Sequence, residues 1–371
     1  MRVLVAPDAF GGTLTAPEAA RAIMSGWHRH APDDVLTQAA MADGGPGFVD
    51  VVHAARGGEL AVVTVRGPAG TDVPITLLHD GRTAYVESAQ ACGLHRDEPR
   101  DPLTASTFGV GQAVAAALDA GAVRIVVGLG GSATNDGGAG LLAALGATAD
   151  VPLDAGPAGL AGVGTVDLTA ATARLDGIDL VIAADVDLPL LGMFGATKTF
   201  GPQKGLTDEQ IIRVDGILDR FVTAACGSTP AERRVADAKG AGAAGGLGFA
   251  LMLLGGTVVP GIELVADAVG LTAQAADHDL VVTGEGTFDF SSRAGKVVYG
   301  VASVAASSAR PCIVLAGQVL VGSREMRAMG IESAYAVADV VGVEQSMSDP
   351  ARHLADLAER VARTWSPRAV G

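Results

Sequence analysis

The chain has 371 residues, too many for one ordinary core, so two domains are expected. Apolar residues make up 49% and charged residues 18%, which excludes a disordered chain. A formal net charge of -15 argues against a nucleic-acid or anionic-membrane surface, although an anionic small molecule needs only a local positive pocket. Lysine is confined to Lys198, Lys204, Lys239 and Lys296, Arg supplying the other positive charge, so each lysine is a stronger functional candidate than usual. Cys92, Cys226 and Cys312 are far apart, with no CxxC and no clustered His. That pattern suits a reducing, cytoplasmic setting without disulfides or a zinc site. The first ten residues read as a strand rather than a signal peptide, and no apolar stretch is long enough to span a bilayer.

In chain order, 1–6 is a short apolar run ending at Pro7-Asp8 and reads as a buried strand. A helix follows at 16–27, with Pro17 near its start, then a strand at 35–41 ending in Asp43-Gly44-Gly45 and a helix at 46–56. Alternation then breaks. Residues 60–65, 73–78 and 83–88 read as consecutive strands, the last two joined by the hairpin signal Asp80-Gly81. A helix at 107–119 leads to a buried strand at 124–127, and another strand, 179–184, ends in Asp185-Val186-Asp187. Thr207 and Gln210 form a capping-box pattern for a helix at 208–224, and 246–270 is helical in part. From Asp279 strands at 279–283, 312–316 and 333–338 alternate with helices at 293–308, 323–329 and 350–365.

The two ends together supply five β-α units, the number for a five-stranded parallel sheet with helices on both faces. The expected organisation is a discontinuous α/β domain, 1–58 plus 270–371, interrupted by a mixed α/β domain at 59–269. Ligands of such sheets bind beyond the carboxyl ends of the strands, where several motifs fall.

The densest of these is Gly128-Leu129-Gly130-Gly131-Ser132-Ala133-Thr134-Asn135-Asp136-Gly137-Gly138-Ala139-Gly140, after a strand and before an apolar helix. Glycines let backbone N–H groups approach an anion, and a helix N-terminus adds partial positive charge. Gly130, Gly131, Ser132, Thr134, Asn135 and Asp136 are therefore candidate nucleotide contacts. There is no Walker A pattern, and the spacing is wrong for a dinucleotide fingerprint. Asp185 and Asp187, at i and i+2 after a strand, point to the same side and are candidates to hold Mg²⁺ or accept a hydroxyl proton. Lys204, in Gly201-Pro202-Gln203-Lys204-Gly205, is a candidate β/γ-phosphate contact. The glycine run at 240–248 reads equally as a second anion cradle or as a domain-crossing hinge. Asp8, Asp43 and Glu285, with Asp289 nearby, are expected on one sheet edge as substrate contacts.

Together, Ala6-Pro7-Asp8, Ala42-Asp43-Gly44-Gly45, the 128–140 loop, Ala184-Asp185-Val186-Asp187, Phe200-Gly201-Pro202-Gln203-Lys204-Gly205, Ala244-Gly245-Gly246-Leu247-Gly248 and Thr283-Gly284-Glu285-Gly286 resemble the type I glycerate kinase family over nearly the whole chain. The resemblance implies a flavodoxin-like domain interrupted by an α/β domain with a restriction-enzyme-like core. It also implies phosphorylation of D-glycerate by ATP with Mg²⁺, commonly at O2, in the cleft between the domains. A homodimer is one assembly compatible with it. Three motifs depart from the family: Gly11 stands where a Lys is usual, Pro46-Gly47-Phe48 replaces a Glu and Thr, and Thr287 replaces an Arg. Arg66, Arg96 and Arg293 are candidate substitutes. Two alternatives remain open, a kinase for a related hydroxy acid and a non-catalytic nucleotide- or metabolite-binding relative.

Overall fold

The computed structural model describes residues 1–94, 101–290 and 297–367. Arg96, Arg293, Lys296 and the expected helix start at 293–296 lie outside the described residues. The chain divides into two compact units, Met1–Asp43 with Asp50–Arg56 and Ile262–Gly371, and Gly44–Val49 with Gly57–Gly261.

The first unit is built on five parallel strands, in the spatial order Val35–Gln38, Arg2–Val5, Leu280–Thr283, Cys312–Ala316, Ser333–Ala336. Numbered by chain position this is 2-1-3-4-5, the flavodoxin-like order. Apolar β-branched residues run without alternation because both faces are covered. Val3, Val5, Val282 and Leu315 pack in one cluster with the helices Ala16–His30 and Pro350–Trp365, while Leu4, Val281 and Val314 on the other face are also fully buried. The helix Ala16–His30 starts where Thr15 accepts the Glu18 N–H and the Glu18 carboxylate accepts from the Thr15 N–H. Gly26 lets it approach Pro350–Trp365: a Cβ there would stand 1.9 Å from the Ala355 carbonyl oxygen.

The second unit has a six-stranded mixed sheet in the order Thr257–Val259, Asp179–Ala183, Arg124–Gly128, Thr83–Glu87, Asp72–Asp80, Glu59–Arg66. The first four are mutually parallel, and the last two form antiparallel pairs, as the Asp80-Gly81 signal predicts. The strand Thr257–Val259 falls inside the segment expected to be partly helical, between the helices Leu247–Leu253 and Gly261–Val269. Its three residues are too few for periodicity to reveal. The helix Asp208–Cys226 has the expected Thr207–Gln210 capping box and buries Ile211, Val214, Leu218 and Phe221. No helix among the described residues is long and apolar enough to cross a membrane.

Candidate active site

The parallel strands of the mixed sheet end in one row. Glu87 is in register with Gly128, Gly128 with Ala183, and Ala183 with Val259. The glycine-rich loop and the Asp185 segment therefore leave adjacent strands at the same edge, the position where α/β sheets bind ligands.

Within the loop, Gly130 is partly exposed and Gly131 exposed, and neither N–H donates a hydrogen bond among the described residues. From Ser132 onward the loop turns inward, and Thr134, Asn135 and Asp136 are completely buried. The Asp136 carboxylate accepts from the Thr107 N–H (2.9 Å) and hydroxyl (2.8 Å) and from the N–H groups of Gly138 (3.0 Å) and Gly140 (3.2 Å). Burial pushes its carboxyl up, against the pull of these four donors. This corrects the expectation for Asp136: its oxygens are committed to protein N–H and O–H groups, so it shapes the loop from within rather than facing a phosphate. Thr134 is likewise turned inward, its hydroxyl donating to the Cys92 sulfur at 3.8 Å. Burial raises that thiol to about 12. Asn135 donates through Nδ2 to the Thr197 hydroxyl at 2.9 Å, while its Oδ1 is buried without a partner among the described residues.

Lys204 closes the helix Ala196–Lys204, which Gly205 terminates in the left-handed conformation. Its side chain is buried at 5% exposure, and Nζ donates to the Ser132 hydroxyl (3.1 Å) and the Thr134 carbonyl (2.6 Å). No carboxylate lies within 4 Å of it among the described residues. Desolvation lowers its pKa to about 8, partly offset by the nearby Cys92 and Asp136. A buried ammonium with only neutral oxygens as partners is costly unless an anion completes it.

The second glycine run is neither an exposed cradle nor a crossing between units. Gly245 packs so tightly that a Cβ would stand 2.0 Å from the Thr134 carbonyl oxygen and 2.9 Å from Lys204 Nζ. Its carbonyl accepts from Gly137 N–H at 3.0 Å. Small residues are needed there because two backbones meet.

Asp185 and Asp187 separate in environment. Asp185 is partly buried just beyond the strand Asp179–Ala183, whereas Asp187 is exposed and pairs with Lys239 at 2.7 Å. No group of three or more His, Cys, Asp or Glu among the described residues could hold a metal ion. A depression of about 770 Å³ in this unit, bounded by Val166, Thr169, Asp176 and Leu254, contains none of the expected site residues.

In the five-stranded sheet, the strand order reverses between Arg2–Val5 and Leu280–Thr283, the switch point where such sheets open a crevice. Asp8 and Glu285 leave these two strands, and Asp8 N–H donates to the Gly284 carbonyl at 2.8 Å. Asp43 follows a segment held alongside by Met41 N–H on the Pro7 carbonyl at 2.9 Å. Asp8, Asp43 and Asp289 are partly exposed and Glu285 is buried. Arg66, one candidate substitute cation, belongs to the second unit and pairs with Asp154 at 3.0 Å while stacking over Phe108 at 3.8 Å.

The family model described as the glycerate kinase family matches residues 3–366. The chain belongs to the glycerate kinase family. It is therefore a kinase, and a small-molecule substrate follows from that membership. A glycerate kinase of Bacillus subtilis (strain 168) is 39% identical over 98% of this chain and 96% of that protein. A glycerate 2-kinase of Escherichia coli (strain K12) is 38% identical over 92% of each chain. A solved structure assigned as glycerate kinase 2 from Salmonella typhimurium LT2 superposes with a TM-score of 0.79, at 37% identity and 98% coverage of both chains.

For this glycerate kinase family member, the structure brings Ser132, Thr134, Asp136 and Lys204, all singled out by sequence, to one place. Sequence reading missed Thr107, Cys92 and Thr197, which bond that place, and Glu87, which bonds the neighbouring Gly47 and Val49. Thr107 immediately precedes a helix and had a detectable signal as a capping residue. The other three carry no local pattern, because their partners are distant in sequence.

Proposed function

We propose that the protein transfers the γ-phosphoryl group of ATP to D-glycerate at O2, giving 2-phosphoglycerate, in the cytoplasm. The observation that carries this reading is Lys204, a buried ammonium lacking a carboxylate partner and bonded to the loop that the family motif supplies. The unengaged N–H groups of Gly130 and Gly131 and the buried cation fit an anion such as a nucleotide phosphate. Partly buried Asp185 fits a magnesium ion, which commonly takes one or two protein carboxylates and completes its shell with phosphate and water.

ATP and Mg²⁺ would supply the transferable phosphoryl group and neutralise its charge. Lys204 would stabilise negative charge on the transferring group, and the Gly130–Gly131 amides would fix its orientation. Asp185 would bind the metal or take the proton that the acceptor hydroxyl loses as its oxygen bonds phosphorus. Asp8, Asp43, Glu285 and Asp289 are assigned to the acceptor, whose hydroxyls can donate to carboxylates. Asp187, engaged with Lys239, has the smaller part.

A coupled assay with ATP, Mg²⁺ and D-glycerate should show glycerate-dependent ADP release, with phosphorus NMR identifying the 2-phosphate. Folded protein giving no turnover and no glycerate-dependent thermal shift would overturn the proposal. The changed residues Gly11, Pro46 and Thr287 favour testing other hydroxy acids in parallel. A better acid would change the substrate, and ATP binding with no acceptor-dependent turnover would indicate a non-catalytic relative.

A further inference from the structure

Glu87 ends the strand Thr83–Glu87, and the residue is 4% exposed. One oxygen accepts from the Gly47 N–H at 3.1 Å. The other accepts from the Val49 N–H at 3.2 Å and from Gln90 Nε2 at 3.4 Å. Gln90 is itself held, since its Oε1 accepts from the Thr76 N–H at 2.7 Å. Gly47 and Val49 bracket the start of the helix Phe48–Arg56, where N–H groups have no intrahelical acceptor and the helix dipole favours negative charge.

The segment held in this way is unusual in its membership. Gly44–Val49 belongs to the second unit, while Asp43 before it and Asp50 after it belong to the first. It also lies against the glycine-rich loop. A Cβ on Gly128 would meet the Gly44 carbonyl at 2.5 Å, one on Gly130 would meet Gly45 Cα at 2.7 Å, and one on Gly131 would meet Pro46 at 3.0 Å. Phe48 is fully buried, with its ring edge-on to Tyr85 at 6.1 Å. Pro46, Gly47 and Phe48 offer no side-chain oxygen to cap the helix start, so that acceptor comes from a distant strand.

We infer that Glu87 is a positioning residue that clamps Gly44–Val49 against the Gly130–Gly131 turn and thereby sets the backbone on which the transferring phosphoryl group is oriented. The inference rests on the function proposed above. It assigns Glu87 no contact with either substrate.

The test is Glu87→Gln in the full-length protein. Gln keeps the volume and one acceptor but puts an NH₂ group against an amide donor. We expect kcat with glycerate to fall about tenfold to a hundredfold, as for misplacement of groups outside the chemistry, while KM for ATP stays within about threefold. Amide exchange at Gly47 and Val49 should accelerate while the helix Asp208–Cys226 keeps its protection. Folded variant with kcat within about twofold of the parent, measured well below its unfolding midpoint, would overturn the inference. If Glu87→Gln does not fold, Gln90→Met removes the side chain holding the carboxylate and leaves both amide bonds. A kcat loss of about threefold or more at unchanged ATP KM supports the clamp, and unchanged kcat rejects it. If the parent itself does not turn over glycerate, the proposed function fails separately. Exchange at Gly47 and Val49 in the variants then decides: faster exchange supports the clamp and unchanged protection overturns it.

Discussion

At the carboxyl edge of the five-stranded sheet, Asp8, Asp43 and Asp289 remain partly exposed, whereas at the matching edge of the mixed sheet Ser132, Thr134, Asn135, Asp136 and Lys204 are all buried. Both edges carry motif residues after parallel strands, but they use them differently. In the first unit Asp8, Asp43 and Asp289 are partly exposed, while Glu285 is buried. In the second, most polar side chains are spent on the protein, and what faces outward is the backbone of Gly130 and Gly131. The mixed-sheet edge thus presents backbone from a packed loop, and the other edge partly exposed carboxylates. Of the departures from the family, Gly11 and Thr287 lie in the first unit and Pro46-Gly47-Phe48 in the second, while the inward-bonded loop is intact.

The strongest way to break this comparison is Lys204→Met. If the buried ammonium is kept for an anion, kcat/KM should fall about a hundredfold to a thousandfold, as when a transition-state donor is removed. The unfolding midpoint should hold or rise, because a desolvated charge has been replaced by an apolar chain of similar length. Loss of folding together with activity would instead make Lys204 a structural strut.

The pH profile sharpens the same point. Burial lowers the Lys204 pKa from 10.5 to about 8, so the ammonium is charged below about pH 8 and neutral above it. Activity that needs the charge should fall as pH rises through about 8, approaching tenfold per unit in kcat/KM. Stability should move the other way. Between about pH 8 and 10.5 the unfolded chain binds more protons at this residue than the folded one, so its contribution to stability improves as pH rises through that window. The activity limb should disappear in Lys204→Met.

Glycine substitutions compare the two edges directly. A Cβ at Gly130 would stand 2.7 Å from Gly45 Cα, so loop or segment must shift, whereas a Cβ at Gly11 meets nothing within 4 Å. Gly130→Ala should cost about 1–3 kcal/mol of stability through overpacking and lower kcat about tenfold. Gly11→Ala should stay within about 0.5 kcal/mol. Chemical denaturation and the glycerate assay read both, and equal effects would erase the distinction between a packed seat and an open surface.

How far the sequence reaches follows the same division. Parallel strands buried on both faces announce themselves as continuous apolar runs, and the Thr207–Gln210 cap is a local pattern, so the five-stranded sheet and that helix were readable while the three-residue strand Thr257–Val259 was not. The direction in which a loop side chain points is decided by partners far along the chain. Asp136 looked like a ligand because its four donors come partly from Thr107, 29 residues away. Asp187 looked equivalent to Asp185 because Lys239 is 52 residues away. The glycine run at 240–248 read equally as a cradle or a hinge because composition records that small residues are needed, not whether a phosphate or another backbone occupies the space.

The smallest expected effect separates the two strand-end aspartates. Asp187 and Lys239 are each at least 75% exposed, so solvent and salt screen their pairing. Asp187→Asn should leave the unfolding midpoint unchanged within error and kcat within about threefold. Asp185→Asn in the same assay should lower kcat at least tenfold and raise the Mg²⁺ concentration needed for half-maximal rate. The ratio between the two variants carries the argument, because both remove one negative charge from the same segment and so share any long-range electrostatic effect. If Asp187→Asn shows the larger loss and the steeper Mg²⁺ requirement, Lys239 is a resting partner displaced during turnover, and the metal role belongs to the exposed aspartate.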